Sequence, residues 1–262
     1  MCGFHPYVRG VLAACAIGVG ACAAQTDGAA KSPVYAAVAS NFAGPFQDLA
    51  QAFEKSTGHV VKTSSGSTGK LYTQIENGGP FDVFLSADAA HVDLLERDGL
   101  AEKGSRFTYA VGRIALYAPR LTPVDASTLT NVPIAHLAIA NPDAAPYGAA
   151  AMDTLRGLGL ADTFRDRLVF GENIAQALQF VDSGAAEAGF VAYAQVTTMD
   201  AKTYWLVPED RHAPIRQDAC LLRAGRDNAA ARALLDFLKT DEAARTIESF
   251  GYAVERAKAS AK

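Results

Sequence analysis

The sequence predicts an α/β protein of two lobes, joined by two extended crossings, with a ligand cleft between the lobes. Three observations predict it. Short apolar runs alternate with helix-like segments in the first and middle thirds, separated by short connections, which is the pattern of parallel sheets covered by helices. Two long extended stretches, FTYAVGRIALYA at 107–118 and PIRQDACLLR at 214–223, bracket the middle third. Small, Gly- and Ser-rich turns stand at four strand-to-helix junctions, 40–45, 64–69, 141–148 and 171–174, two from each lobe. In open α/β sheets such junctions, at the carboxyl ends of strands, are where ligands sit.

The chain has 262 residues, half of them hydrophobic, and a formal net charge of −4. That is enough for two lobes with real cores, and nothing in the charge suggests a nucleic-acid partner. Arg9 precedes the apolar, small-residue run VLAACAIGVGACAA at 11–24, which is shorter than the roughly 20 residues a spanning helix needs. We expect a signal peptide over 1–24 and a polar linker over 25–32, hence a periplasmic protein. Val19-Gly20-Ala21-Cys22 also has the form of a lipoprotein cleavage box, with Cys22 as the lipid-bearing residue. Past this segment only Cys220 remains of four cysteines, so neither a disulfide framework nor a cysteine metal site is expected.

The elements follow in order. Val34–Ala39 is a buried strand, and Ser40-Asn41-Phe42-Ala43-Gly44 is a turn before a helix, with Pro45 expected at the first helical position. Phe46, Leu49, Ala50 and Phe53 have helical spacing, and Thr57-Gly58 ends the helix. A β-branched run, His59–Thr63, leads into SSGSTGK and a helix from Lys70 to Glu76. Phe81–Leu85 is a strand, and Ser86-Ala87-Asp88 opens a helix to about Glu96. After the first crossing come a strand at Ala135–Ala140, a helix over Ala149–Leu158, a strand at Arg167–Phe170, a helix over Ala175–Asp182 and a strand at Ala188–Val191. Asn228–Phe250 is helical by pattern. The expected lobes are 33–112 with 216–262, and 113–215.

SSGSTGK is not a nucleotide loop. A P-loop needs Gly at position 64 and a hydroxyl after the lysine, and those places hold Ser64 and Leu71. The turn still presents free N–H groups and the positive end of a helix dipole. The four junctions together supply hydroxyls, a phenol and backbone donors, with one lysine (Lys70), no arginine or histidine, and few carboxylates. Lys70 reads as a solvated helix residue. Such a cleft suits a fully ionised oxyanion. Burying charge is costly unless it is hydrogen-bonded, and hydrogen bonds to charged groups contribute about 1.5–3 kcal/mol each. Roughly seven would give about 10–20 kcal/mol gross, which after association costs allows a dissociation constant near nanomolar. Molybdate, tungstate and sulfate need only donors, whereas phosphate, with a second pKa of about 6, keeps a proton that wants an acceptor. The competing reading of each junction is a plain helix cap with no ligand. A serine-dependent hydrolase is the enzymatic alternative, but none of the five histidines, His5, His59, His91, His136 and His212, falls in these loops, and no partnered nucleophile elbow is present.

The stretches VASNFAGPFQDLAQAFEKSTGH, SSGSTGKLYTQIENGGPFDVFLSAD, FTYAVGRIALYA, AIANPDAAPYG and GENIAQALQFVDSGAAEAGFVA resemble the periplasmic molybdate-binding proteins of bacterial ABC transporters, over nearly all of 33–255. The resemblance implies the two-lobed, type II periplasmic-binding-protein fold. It implies capture of molybdate, and of tungstate, for delivery to an ABC membrane permease, with no catalysis and no cofactor, and molybdenum held only as the bound oxyanion with no direct protein–metal ligand. It implies contacts from Ser40 and Asn41 after the first strand, from Thr68 with Ser67 beside it, from Tyr147, and from the backbone N–H of Ile174. Some members use a tyrosine near 190–193; here Ala192 fills that place, and the adjacent Tyr193 stays unassigned. Sulfate or another oxyanion is the alternative cargo. We expect a monomer.

Overall fold

A computed structural model of the chain describes residues 32–255. The expected leader, the Cys22 cleavage box and nearly all of the expected linker lie outside them. The first part runs β1 (Val34–Ala39), a 3-10 turn (Ser40–Phe42), α1 (Ala43–Thr57), β2 (Val61–Gly66), α2 (Thr68–Glu76), β3 (Val83–Leu85), α3 (Ala90–Arg97) and β4 (Phe107–Gly112). The second comprises β5 (Ile114–Tyr117), α4 (Thr128–Asn131), β6 (Leu137–Ala140), α5 (Pro146–Gly157), α6 (Ala161–Phe164), β7 (Leu168–Gly171), α7 (Ile174–Asp182), β8 (Ala188–Ala192) and β9 (Tyr204–Leu206). The chain then returns through β10 (Ile215–Leu221) to α8 (Ala229–Leu238) and α9 (Asp241–Ser249).

Two five-stranded sheets result, ordered β2-β1-β3-β10-β4 and β7-β6-β8-β5-β9. In the first, β1 pairs parallel with β2 and β3, and β10 pairs antiparallel with β3 and β4. In the second, β6 pairs parallel with β7 and β8, and β5 pairs antiparallel with β8 and β9. This is the two-lobed α/β architecture expected. The stretch 107–118 is two strands: Gly112 ends β4 in one sheet and Ile114 starts β5 in the other, so the chain changes sheets at Arg113 without a turn. Ile215, which begins the return strand, pairs with Gly112. The two crossings therefore lie side by side.

Local chemistry explains the helix ends. Phe46, Leu49, Ala50 and Phe53 form the buried stripe of α1, packed with Leu234, Leu238 and Ile247 of the C-terminal helices. Pro45 sits two residues into α1 rather than at its first position; its missing N–H costs nothing there, because the first turn has no intrahelical acceptor to offer. Gly58 closes the helix in the left-handed region at φ 70°, its N–H on the Glu54 carbonyl. The helix expected at Ser86 starts later, at Ala90, because Ser86 and Asp88 are spent on a turn in which the Asp88 carboxylate accepts the His91 N–H. The C-terminal run is two helices. Thr240 accepts the Ala243 N–H as an N-cap, with Asp241 and Glu242 in the first turn of α9, so a fresh helix start interrupts the apolar period.

A bulge between Gln217 and Asp218 shifts the β10–β4 register. Alternation sends their side chains to opposite faces. Asp218 is buried and held by Arg106 and by the Thr108 hydroxyl, 2.7 Å away, while Arg106 also binds Asp93. Arg106→Met is expected to strand the Asp218 carboxylate and to lower the unfolding free energy by about 3 kcal/mol. A urea titration measures it, and a midpoint equal to the parent's would mean that Thr108 alone suffices.

Candidate functional site

Each of the four junctions begins where a strand of one sheet ends. β1 ends at Ala39 and the chain turns tightly through Ser40, Asn41 and Phe42. β2 ends at Gly66, and Ser67 occupies the position just before α2. β6 ends at Ala140, and the loop to Ala145 delivers Pro146 and Tyr147 as the first residues of α5, with proline at a position that needs no donor. β7 ends at Gly171, and Glu172-Asn173 leads into Ile174. Ser40, Asn41, Ser67, Thr68, Tyr147 and Ile174 all line one small cavity of about 10 Å³, together with Ala39, Gly66, Ala87, Ala145 and Pro146. No charged side chain is among these residues. Ser40 is half-buried, and the other five of the six are 1–3% exposed.

The hydrogen bonds around the cavity show which groups have hydrogens to give. The Ser67 side chain makes no cap bond to its helix, and its hydroxyl is buried without a partner among the described residues. A cap-only role is thereby ruled out for Ser67. Thr68 Oγ1 accepts the Ala87 N–H at 2.9 Å, which leaves its own hydrogen to be donated elsewhere. At the α7 start Asn173 does cap, but it accepts from Ala175 and Gln176. The Ile174 N–H, one residue earlier, has no acceptor within its helix.

Asn41 differs from the simple expectation. Its side-chain nitrogen donates to Gln217 Oε1 at 2.8 Å and to Tyr252 Oη at 3.1 Å, and so both amide hydrogens are committed inside the protein. What Asn41 can still offer the cavity is its backbone N–H, at the start of a 3-10 turn. Tyr147 Oη accepts from Gln217 Nε2 at 3.0 Å. Burial raises the pKa of Tyr147, Tyr109 and Tyr252 above the ordinary phenol value, so all three remain protonated donors through the physiological range. Sequence reasoning does not single out Gln217, Tyr109 or Tyr252. A glutamine inside the apolar run PIRQDACLLR was the one local signal for them.

Lys70 is not merely solvated: it forms an ion pair with Glu172 at 2.9 Å, joining α2 to the β7–α7 turn. Beside it the Gly69 N–H donates to the Ala144 carbonyl at 2.9 Å. Both contacts bridge the two lobes next to the cavity without lining it. Tyr193 is absent from the lining; it lies under Arg113 at the crossing and against Tyr204. A wider depression of about 390 Å³ shares Ala87, Ala145 and Pro146 with the cavity. Cys220 is buried, its thiol pushed up to about 12 by desolvation, and takes no part in the site.

Residues 34–253 match the family model described as bacterial extracellular solute-binding protein. The chain is 48% identical over 247 residues to the molybdate-binding protein ModA of Azotobacter vinelandii, covering 92% of this chain and 96% of that one. It is 45% identical over 228 residues to the ModA of Rhodobacter capsulatus, covering 87% and 90%. Among solved structures it superimposes on the Azotobacter vinelandii periplasmic molybdate-binding protein with a TM-score of 0.81, at 38% identity, covering 85% of this chain and all of that one.

Proposed function

The chain belongs to the bacterial extracellular solute-binding proteins, among their periplasmic molybdate-binding members, and from that premise we infer how its own residues hold the anion. The protein captures molybdate for an ABC importer. We assign the clamp to the hydroxyls of Ser40, Ser67 and Thr68, the phenol of Tyr147, and the backbone N–H groups of Asn41 and Ile174. The observation that carries this assignment is the buried, unpartnered Ser67 hydroxyl in a cavity lined by donors and by no charged side chain.

Neutral dipoles suffice because the anion's lost hydration is replaced by fixed donors, each contributing about 1.5–3 kcal/mol toward a charged acceptor. Their convergence from both lobes makes binding and closure one event. A cavity of about 10 Å³ holds roughly one water, less than a tetrahedral anion, so the lobes must stand further apart than in this structure to hold the anion, and further still to load and release it. The hinge is the paired crossing at Gly112–Arg113 and Ile215, and the Gly69–Ala144 and Lys70–Glu172 contacts are those that break on opening. An anion that bridges both lobes binds the closed form better, and only that differential affinity shifts the equilibrium. We place the lobes at 33–112 with 216–255 and at 113–215; the last seven residues of the expected first lobe, 256–262, lie outside the described residues.

The protein acts, on this reading, as a binding protein and not an enzyme, works in the periplasm as a monomer, and hands its cargo to the permease. Tungstate shares molybdate's charge and shape and is expected to compete for the same site. Calorimetric titration with molybdate, tungstate, sulfate and phosphate tests the reading. Strong heat with the first two and weak heat with the others is expected. Strong heat with sulfate or phosphate and none with molybdate would overturn it.

A further inference from the structure

Behind the cavity lies a buried polar cluster that spans the two lobes. Gln217, fully buried on β10, accepts at Oε1 from Asn41 Nδ2 (2.8 Å), lies 2.9 Å from Tyr109 Oη, whose one hydrogen is shared between Gln217 Oε1 and the Ser86 carbonyl at 3.0 Å, and donates from Nε2 to Tyr147 Oη (3.0 Å). β10 belongs to the first sheet, whereas Tyr147 stands on α5 of the second lobe. Gly112 is what admits the contact. A Cβ there would lie 2.2 Å from Tyr147 Oη and 2.5 Å from Gln217 Nε2.

Each phenol has a single hydrogen. That of Tyr252 goes to the Asn41 carbonyl at 2.8 Å. Tyr147 Oη already accepts from Gln217, so its own hydrogen must be given away. The acceptors in reach are the Tyr252 oxygen and an anion in the cavity. An amide nitrogen carries no acceptor lone pair, so Gln217 cannot take that hydrogen back.

We propose that Gln217 is a positioning residue of the oxyanion site: by donating Nε2–H to Tyr147 Oη it fixes the phenol as a donor toward the cavity and so discriminates against oxyanions that carry a proton. The proposal rests on the oxyanion-clamp reading above. It also makes sense of Thr68, whose oxygen is occupied in the same way by the Ala87 N–H. Two of the site's hydroxyls then each have one lone pair already taken and a hydrogen to give. A phosphate P–OH facing either hydrogen sets hydrogen against hydrogen, whereas molybdate presents acceptors in every direction. Without the Gln217 donor the phenol can rotate and accept.

The test is a set of dissociation constants for molybdate and inorganic phosphate, measured on the full chain, Gln217→Met, Tyr147→Phe and the double variant. In Gln217→Met the preference for molybdate over phosphate is expected to fall about tenfold or more, the worth of one charge-assisted hydrogen bond. Tyr147→Phe should lower the same ratio. The double variant should bind molybdate no worse than the poorer single one, because both changes remove one interaction. If Gln217 only supports the fold, both anions weaken alike, the ratio holds, and the effects of the two changes multiply; that result overturns the proposal. Should Gln217→Met not fold, the Tyr147→Phe ratio decides by itself, and an unchanged ratio rejects the donor role. Failure of the parent to bind molybdate would instead reject the clamp reading, and the two failures are distinguishable in the same series.

Discussion

Thr68→Val is expected to weaken molybdate binding by roughly 10–150-fold, the equivalent of about 1.5–3 kcal/mol for a hydrogen bond to a charged group. The shape of the residue barely changes; the hydroxyl goes. Thr68 is 1% exposed and opens α2, and its oxygen accepts the Ala87 N–H at 2.9 Å. Valine therefore removes two things, a donor to the anion and an acceptor for a buried backbone N–H. The second loss shows in the anion-free protein as a stability decrease of about 1–3 kcal/mol. Ser67→Ala separates the two effects. The Ser67 hydroxyl has no partner among the described residues, and so its removal should weaken molybdate binding similarly while leaving the anion-free protein as stable as before or slightly more so. Thr68→Ser should restore most of the affinity. Calorimetry supplies the dissociation constants and a thermal melt without molybdate the stabilities. A Thr68→Val constant within about threefold of the parent would remove Thr68 from the clamp, since even a weak neutral hydrogen bond contributes about that much.

The contrast between these two neighbours shows what a linear sequence can and cannot express. That 64–70 forms a strand-to-helix junction with small residues at the helix start was legible, because glycine, serine and threonine have local backbone and capping preferences. The alternation that gave the parallel strands of each sheet was legible for the same reason: period and turn chemistry are short-range. Which hydroxyl caps, which donates and which is already occupied was not legible, because those answers come from Ala87, Gln217 and Tyr252. Asn41 and its partners Gln217 and Tyr252 are separated by 176 and 211 residues, so no local pattern announces that its amide is committed. The break at Arg113 was invisible for a related reason. The chain changes sheets there while staying extended, so no turn residue marks it. The start of α9 at Thr240 is a different case, because Thr240-Asp241-Glu242 carries a helix-start signal that the continuing apolar period hid.

The hinge and the clamp also share material. Gly112 ends the strand that crosses out, pairs with the strand that crosses back, and leaves the space in which Gln217 meets Tyr147. On the proposed clamp reading, a change in the angle at the crossing therefore moves the Tyr147 phenol directly. That is a physical route for coupling closure to binding, without any need for a signal carried across the lobes.

The same dependence on close backbone approach makes Gly148→Ala the substitution expected to do most damage. Gly148 follows Tyr147 in the first turn of α5, where the helix start is pressed against the end of β6. A Cβ there would lie 2.2 Å from the Ala140 carbonyl oxygen, 2.8 Å from its carbon and 2.9 Å from the Asn141 carbonyl carbon. All three are backbone atoms of the strand end and loop that shape the cavity, so no side chain can swing aside to relieve the clash. Either α5 lifts off the sheet or the β6 end moves, and Tyr147 moves in both cases. Overpacking against backbone falls at the upper end of its usual range, about 3 kcal/mol, which for a chain of this size lowers the melting temperature by roughly 6–12 °C. Molybdate affinity should fall by more than about a hundredfold, since the phenol and its Gln217 partner are separated together. Gly157→Ala, at the other end of the same helix, is the control. Its Cβ would meet nothing nearer than the Arg211 carbonyl at 3.8 Å. Alanine there should raise stability by up to about 1 kcal/mol through helix propensity and leave the affinity unchanged. Should Gly148→Ala melt and bind as the parent does, the contact between α5 and the β6 end would be looser than drawn, and Tyr147 could not be held at the cavity by the packing described.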